Sequence, residues 1–155
     1  MATRTITRCG AVAALYVVLT LALAPISYGP VQFRVSEMLK PLALFDPAMA
    51  LAFALGTCLS NLASPFGPWD YVAMALVDAV AALICWRLRR CPWGSLVIQA
   101  VIISAGVAVF PLGLGGGLPV LATFPGVLVS QLIILLVAYA VIWRPRQEWL
   151  CRILS

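Results

Sequence analysis

The chain has 155 residues, of which 64% are hydrophobic and only 10% are charged, and its net charge is +5. Because a soluble domain carries about 25% charged residues, this composition excludes an ordinary water-soluble domain and leaves no room for one beside a membrane part. The basic excess does not indicate nucleic-acid binding, since most basic residues flank apolar runs, as topology signals do.

Long charge-free runs indicate membrane-spanning helices. They extend over Cys9–Phe33, Pro47–Trp69 and Cys91–Trp143. A spanning helix needs about 20 residues, and lipid admits only helices or closed barrels. Since the runs do not alternate strictly between apolar and polar residues, helices are favoured over a barrel. We therefore predict one all-α, polytopic membrane domain over residues 1–155.

Proline and glycine divide the chain into six predicted transmembrane helices. Pro25 ends the first helix, Pro41 bends the short second helix, and Asp46-Pro47 is a start signal for the third. A flexible outer loop is predicted over residues 111–119. The predicted helices are Cys9–Ala24, Val31–Phe45, Pro47–Ala63, Trp69–Leu88, Ser95–Phe110 and Thr123–Trp143.

Basic residues predict that both termini are cytoplasmic, by the positive-inside rule. On one face of the six-helix arrangement lie Arg4, Arg8, Arg87, Arg89, Arg90, Arg144, Arg146 and Arg152. The N-terminal stretch also has the features of a signal peptide, with Ala22-Leu23-Ala24 as its cleavage motif. Pro25 directly after that motif blocks cleavage, so we expect the first helix to be retained.

The sequence contains few residues or motifs that could bind a metal ion or a nucleotide. It has no histidine, which removes a common metal ligand and general base. Its five cysteines form no C-x-x-C pair and are interpreted as small apolar filler. The glycine-rich stretch 113–117 lacks the Lys-Ser/Thr of a P-loop. We predict no cofactor and no metal, and any transport must draw its energy from partners.

Charged residues within the apolar chain are candidate binding residues, because each charge in a bilayer costs roughly 2.5–3.5 kcal/mol and needs a cavity or a partner. Glu37 follows Arg34 by one helical turn; the two either form a local ion pair or present a carboxylate to a flat, guanine-like ligand edge. Asp70 either interacts with a helix dipole or meets a ligand cation. Asp78 lies about 12 Å deeper, without a partner that the sequence can name.

Amide and aromatic side chains complete the candidate site. Amides either hydrogen-bond between helices or contact a ligand, and aromatic rings can stack on a flat heterocycle. Asn61 ends the third helix and lies across a turn from Asp70. The full set of these candidates is Gln32, Asn61, Gln99, Gln131, Tyr28 and Trp69.

Several segments resemble one known family, the QueT family. They are Ala13–Thr20, Ala24–Glu37 with its P-I-x-x-G-P and R-V-S-E motifs, Gly56–Asn61, Ser64-Pro65, Gly67 and Asp70. Members of this family are substrate-binding S-components of energy-coupling-factor (ECF) transporters, associated with queuosine precursors. The resemblance is strong over residues 10–90 and weaker from Ser95 onward.

The resemblance implies a six-helix protein of the cell membrane that is not an enzyme. It implies a ligand such as 7-aminomethyl-7-deazaguanine or a close 7-deazapurine, whose ring edge would suit Glu37 and whose amine would suit Asp70. It also implies partners, a transmembrane coupling subunit and two ABC-type ATPases. Gly10 and Ala14 match the small-residue patch of the first helix through which S-components contact the coupling subunit.

The chain departs from the family pattern in its last two helices. Gln99 stands where the family usually has asparagine, and Ser130-Gln131 stands where it usually has Gly-Glu. The missing acid favours a neutral ligand such as the nitrile precursor, whereas Asp78 could supply the negative charge instead.

Three other functions stay open. The chain could carry a different flat heterocyclic nutrient, or be an intramembrane enzyme that uses Asp70 and Asp78 as a pair of acids sharing a proton. It could also be a scaffold without transport activity, which would tolerate substitution at Gln32, Arg34, Glu37 and Asn61.

Overall fold

The regular elements are helical throughout residues 2–27, 33–146 and 148, which the computed structural model describes. The α-helices are α1 (Ala2–Ala22), α2 (Ala24–Ser27), α3 (Met49–Asn61), α4 (Met74–Arg87), α5 (Pro92–Val107) and α6 (Val120–Ala138). The other helical segments are a 3₁₀ helix (Val35–Leu44), π-helices at Trp69–Ala73, Ala108–Gly115 and Tyr139–Trp143, and a 3₁₀ turn at Arg144–Arg146. The predicted all-α class is confirmed.

Four helices of the described ranges are long and apolar enough to cross a membrane: Thr3–Ala22, Trp69–Arg87, Pro92–Gly115 and Val120–Arg146. The third predicted helix, α3, has 13 residues and is about 20 Å long, against about 30 Å of hydrocarbon. The structure therefore supports a multi-pass membrane protein. Its described residues contain four candidate spans rather than the six that the sequence predicts.

The second predicted helix is the largest departure from expectation. In place of an α-helix over Val31–Phe45, the structure has a 3₁₀ helix over Val35–Leu44 with Pro41 inside it. Such helices rarely exceed four residues. Eight of its ten residues are buried, so this helix lies inside the bundle rather than against lipid.

The 3₁₀ helix packs against α1, α3, α4 and α6. Trp143 Nε1 donates a hydrogen bond to the Met38 carbonyl at 2.7 Å, which joins the 3₁₀ helix to the π-helix that follows α6. Gly56 allows α1 and α3 to approach closely, since a Cβ there would lie 3.1 Å from ring atoms of Tyr16. These contacts position the 3₁₀ helix and Tyr16 at the centre of the bundle.

The predicted loop over residues 111–119 is shorter than expected. The π-helix Ala108–Gly115 continues α5 through Pro111, and the chain reverses at Gly117, whose φ of +67° favours glycine. The predicted helix start at Asp46-Pro47 is shifted, because α3 begins at Met49 with Ala48 as its N-cap. Asp46 Oδ1 instead accepts the Ala48 N–H at 2.9 Å in the turn before α3.

Polar and apolar side chains are arranged as lipid requires. On α4, Leu76 is 65% exposed and Val80 is 51% exposed, whereas Asp78 between them is only 2% exposed. Apolar surface therefore faces outward to lipid, and charged groups are enclosed among the helices.

Candidate functional site

Five charged side chains from the 3₁₀ helix and the α4 region converge inside the bundle, and none is more than 3% exposed. They are Arg34, Glu37, Lys40, Asp70 and Asp78. A buried charge without a partner is unstable in a membrane, so the partners of each decide what the site can do. These residues form two groups, an arginine cluster and a lysine cluster.

The arginine cluster consists of Arg34, Asn61, Ser64 and Asp70. The Arg34 guanidinium contacts both Asp70 carboxylate oxygens at 3.3 and 3.4 Å and donates to Asn61 Oδ1 at 3.1 Å. Asn61 Nδ2 donates to Asp70 Oδ1 at 2.8 Å and to the Asp70 carbonyl at 2.9 Å. Ser64 donates to the other Asp70 oxygen. One cation and one carboxylate therefore balance here, and their hydrogen bonds join the start of the 3₁₀ helix to α3 and α4.

The lysine cluster consists of Tyr16, Glu37, Lys40, Thr57 and Asp78. Lys40 Nζ lies 2.6 Å from Glu37 Oε2 and 2.6 Å from Asp78 Oδ1, so one cation serves two carboxylates. The outer oxygens accept hydrogen bonds from neutral hydroxyls: Tyr16 donates to Glu37 Oε1 at 2.6 Å, and Thr57 donates to Asp78 Oδ2. Both Glu37 oxygens are therefore contacted, Oε1 by the Tyr16 hydroxyl and Oε2 by the Lys40 ammonium.

The two clusters are neighbours along the bundle axis. Thr57 and Asn61 lie one turn apart on α3, about 6 Å, and Ser60 between them donates to the Thr57 carbonyl at 3.3 Å. The structure thus brings Asn61 and Asp70 into direct contact, as the sequence predicts, and places Glu37 in the adjacent cluster with Asp78.

Two buried amides lie on α5 and α6. Gln99 is fully buried and Gln131 is 1% exposed. Neither amide atom of Gln99 nor Oε1 of Gln131 has a hydrogen-bond partner among the described residues. Leaving a buried polar atom unpaired costs about 1–3 kcal/mol, so these amides are suited to a ligand.

The amides lie at nearly one depth. Trp93 near the start of α5 and Tyr139 after α6 have ring centroids 5.0 Å apart. The helices α5 and α6 run antiparallel, and Gln99 lies six residues after Trp93 whereas Gln131 lies eight residues before Tyr139. The depths of the two amides therefore differ by two residues, about 3 Å.

Both amides share a face with residues that adjoin the 3₁₀ helix. Leu96, one turn before Gln99, belongs to the core cluster that includes Leu39, Leu42 and Leu44. Ile134, one turn after Gln131, lines a cavity together with Val35 and Met38. Gln131 therefore lies one turn from the cavity beside the 3₁₀ helix.

Other predicted residues lie elsewhere or outside the described ranges. Trp69 is 45% exposed and lines an outward apolar cavity of about 450 Å³ with Val72, Leu76 and Phe110, so it does not face the clusters. Tyr28 and Gln32 fall outside the described residues. Gly10 and Ala14 lie on the exposed face of α1.

Sequence reasoning missed four members of the clusters, namely Tyr16, Lys40, Thr57 and Ser64. One signal was available for Lys40, since a lysine three residues after Glu37 lies on the same face of a helix. A second cavity, of about 240 Å³ between the 3₁₀ helix and α6, has an apolar lining that includes Phe33, Met38 and Val137. The described residues contain no group of three histidine, cysteine or acidic side chains that could hold a metal ion.

Comparison with known proteins gives one family and one relative. The family model described as "QueT transporter" matches residues 6–145. A protein of Lactococcus lactis subsp. cremoris (strain MG1363), named "Queuosine precursor transporter QueT", is 53% identical over 55 residues. That match covers 34% of this chain and 32% of the relative, about a third of the length of each. No solved structure matches.

Proposed function

The chain belongs to the QueT transporter family, and we propose that it is the substrate-binding subunit of an importer for queuosine precursors. The observation that carries this proposal is the group of buried charged and amide side chains inside a lipid-facing bundle. A membrane protein encloses such groups at a high energetic cost, and their usual role is in a pathway or binding site for a polar solute.

The proposed ligand is 7-aminomethyl-7-deazaguanine or a close 7-deazapurine. Its flat ring has donors and acceptors along the guanine-like edge, which the unpaired amides of Gln99 and Gln131 can match because an amide offers both. Glu37 would supply a carboxylate to the ligand in exchange for one of its present contacts with Tyr16 and Lys40. Arg34, Asn61 and Asp70 would hold the 3₁₀ helix in place beside the ligand, with Asp78 on the opposite side of Lys40.

Transport would depend on partners, namely a coupling subunit and two ABC-type ATPases in an ECF complex of the cell membrane. The exposed Gly10 and Ala14 face of α1 is the proposed contact with the coupling subunit, since small residues let a second helix approach. A Cβ at Gly10 would meet nothing within 4 Å. In this proposal the 3₁₀ helix and α3 complete a six-span arrangement with both termini in the cytoplasm.

The ion pairs of the two candidate acids argue against an intramembrane hydrolase. Asp70 and Asp78 contact different cations, Arg34 and Lys40, and are eight residues apart on one helical segment, about 12 Å. Acids that share a proton lie about 3 Å apart. A carrier for another flat heterocycle is the second candidate, since amides and a carboxylate suit several such rings.

Ligand-induced thermal stabilisation of the purified protein tests the proposal. We expect 7-deazaguanines to raise the melting temperature of the parent and to raise that of Glu37→Gln by much less. Asp46→Asn is the matched control, because Asp46 is also a buried acid but pairs with Arg8 outside both clusters. Equal stabilisation of the parent and Glu37→Gln would remove Glu37 from the site.

Uptake measurements test the partners. Cells that carry this chain together with the coupling subunit and ATPases should accumulate labelled 7-deazaguanine, and cells that carry this chain alone should not. Equal uptake without the coupling subunits would contradict the S-component role.

A further inference from the structure

The cavity of about 240 Å³ between the 3₁₀ helix and α6 is an apolar groove on the outside of the bundle. Ile134 and Ala138 are buried and form its floor, whereas Ile133, Val137 and Val141 are each more than half exposed along its rim. The rim residues recur every four positions, so they form one ridge of the helix. A groove with exposed apolar walls on a membrane-spanning helix opens to the acyl chains of the bilayer.

The groove is about as long as one leaflet is deep. Its lining on α6 and on the π-helix that follows extends from Ile133 to Ile142, which at 1.5 Å per residue is about 14 Å. The hydrocarbon core of a bilayer is about 30 Å thick, so one leaflet contributes about 15 Å. A single acyl chain that enters at Ile142 would therefore reach the middle of the bilayer at Ile133.

Two exposed arginines lie at the Ile142 end of the groove. Arg144 and Arg146 belong to the 3₁₀ turn that follows this residue. Arg146 Nη1 donates to the Ile142 carbonyl at 2.9 Å, so its guanidinium is held beside a residue that lines the groove. This bond uses one of the five N–H donors of a guanidinium, whose planar fork matches a phosphate group. A lipid phosphate lies directly outside the hydrocarbon, at the level of this turn.

The two walls of the groove are joined at this basic end. Trp143 lies between Ile142 and Arg144, and its Nε1 donates to the carbonyl of Met38 on the opposite wall at 2.7 Å. The groove is therefore formed before anything binds, which lowers the cost of ordering on binding.

The surrounding surface is also positive. The turn between α4 and α5 lies beside the end of α6, because the rings of Trp93 and Tyr139 have centroids 5.0 Å apart. Within residues 2–27, 33–146 and 148, the exposed acid is Glu148, and the exposed cations are Arg4, Arg87, Arg89, Arg90, Arg144 and Arg146. Basic residues clustered beside membrane-spanning helices attract anionic lipid headgroups.

We propose that this groove is a binding site for one anionic phospholipid, with the phosphate at Arg144 and Arg146 and one acyl chain between the 3₁₀ helix and α6. The inference goes beyond the proposed function, because it concerns the outer surface of the bundle and not the transported solute. The apolar lining selects a molecule with an acyl chain over a free phosphate, and the arginines select an anionic headgroup over a neutral one. Because the lipid binds the folded chain, it should stabilise that chain against unfolding.

The affinities of phosphatidylglycerol and phosphatidylcholine with identical acyl chains test the site in the purified full chain, by native mass spectrometry and thermal unfolding in detergent. The parent should bind the anionic lipid about tenfold to thirtyfold more tightly, as expected for two arginines at a headgroup. Arg144→Gln with Arg146→Gln should lower this preference at least about fivefold. Arg89→Gln with Arg90→Gln is the matched control, since it removes the same charge from the α4–α5 turn and should keep most of the preference.

Two further probes separate the acyl chain from the headgroup. Glycerol phosphate, which lacks acyl chains, should not stabilise the parent, and Ala138→Leu, which fills the floor of the groove, should weaken the binding of both lipids. Equal affinity of the parent for the two lipids, an Arg144 and Arg146 variant with the parent's ratio, or equal stabilisation by glycerol phosphate would overturn the inference. A dimer of the chain that excludes lipid would also overturn it and would assign the groove to a second copy. The parent's ratio decides even where a variant does not fold, and none of these results depends on 7-deazaguanine binding.

Discussion

The arginine cluster and the lysine cluster lie one helical turn apart along α3 but differ in charge balance. In the first, Asp70 has one cation and further donors from Asn61 and Ser64. In the second, Glu37 and Asp78 divide a single lysine. A balanced and fully bonded network rigidifies a fold, whereas an unbalanced one retains capacity for a ligand. We therefore propose a mainly structural task for the first cluster and a binding task for the second.

Removal of either cation should have the largest effect on stability, and the loss of unfolding free energy should differ between the two clusters. Lys40→Met leaves two buried carboxylates without a cation, and we expect a loss of roughly 3–5 kcal/mol in unfolding free energy. Arg34→Met should cost less, because it leaves one carboxylate without its cation rather than two. Thermal unfolding of both variants in detergent checks the order, and an Arg34→Met loss as large as that of Lys40→Met would contradict it.

Loss of the amide in the arginine cluster should be smaller. Asn61→Leu removes the acceptor for Arg34 and two donors to Asp70, so we expect about 1–3 kcal/mol of destabilisation. Its ratio of amine to nitrile affinity should remain that of the parent, measured at a temperature where the variant is folded. A changed ratio would show that the arginine cluster takes part in ligand discrimination.

Replacement of an unpaired amide should affect stability and binding in opposite directions. Gln99→Leu removes two unpaired buried polar atoms, so the ligand-free protein should become more stable by up to about 1–2 kcal/mol. Stabilisation by 7-deazaguanine should fall at the same time, as in other exchanges of stability against function. A destabilised variant with normal ligand binding would mean that Gln99 is a packing residue.

The smallest effect on stability is expected at the exposed face of α1. Gly10→Leu enters open space and removes a glycine from the interior of α1, so the unfolding free energy should not fall and should rise by at most about 1 kcal/mol. Uptake in the presence of the coupling subunits should nevertheless fall. Gly126→Leu on α6 is the matched control, since its Cβ also meets nothing within 4 Å, and equal uptake by both variants would argue against a partner at Gly10.

The sequence predicts the helical class because charge-free runs and proline positions are local signals. It also places Asn61 beside Asp70, because a short turn joins them. It does not predict Lys40 between Glu37 and Asp78, since Asp78 is 38 residues away along the chain and the pairing depends on tertiary packing. Nor does it predict the 3₁₀ conformation, because Pro41 indicates only a bend and burial among four helices decides the rest.

An experimental structure of the protein with 7-aminomethyl-7-deazaguanine bound tests the central claim most directly. We predict that the ring edge lies within hydrogen-bond distance of Gln99 and Gln131, and that the ammonium lies between Glu37 and Asp78 beside Lys40. A ligand bound in the apolar cavity next to Trp69, with both clusters unchanged, would contradict it.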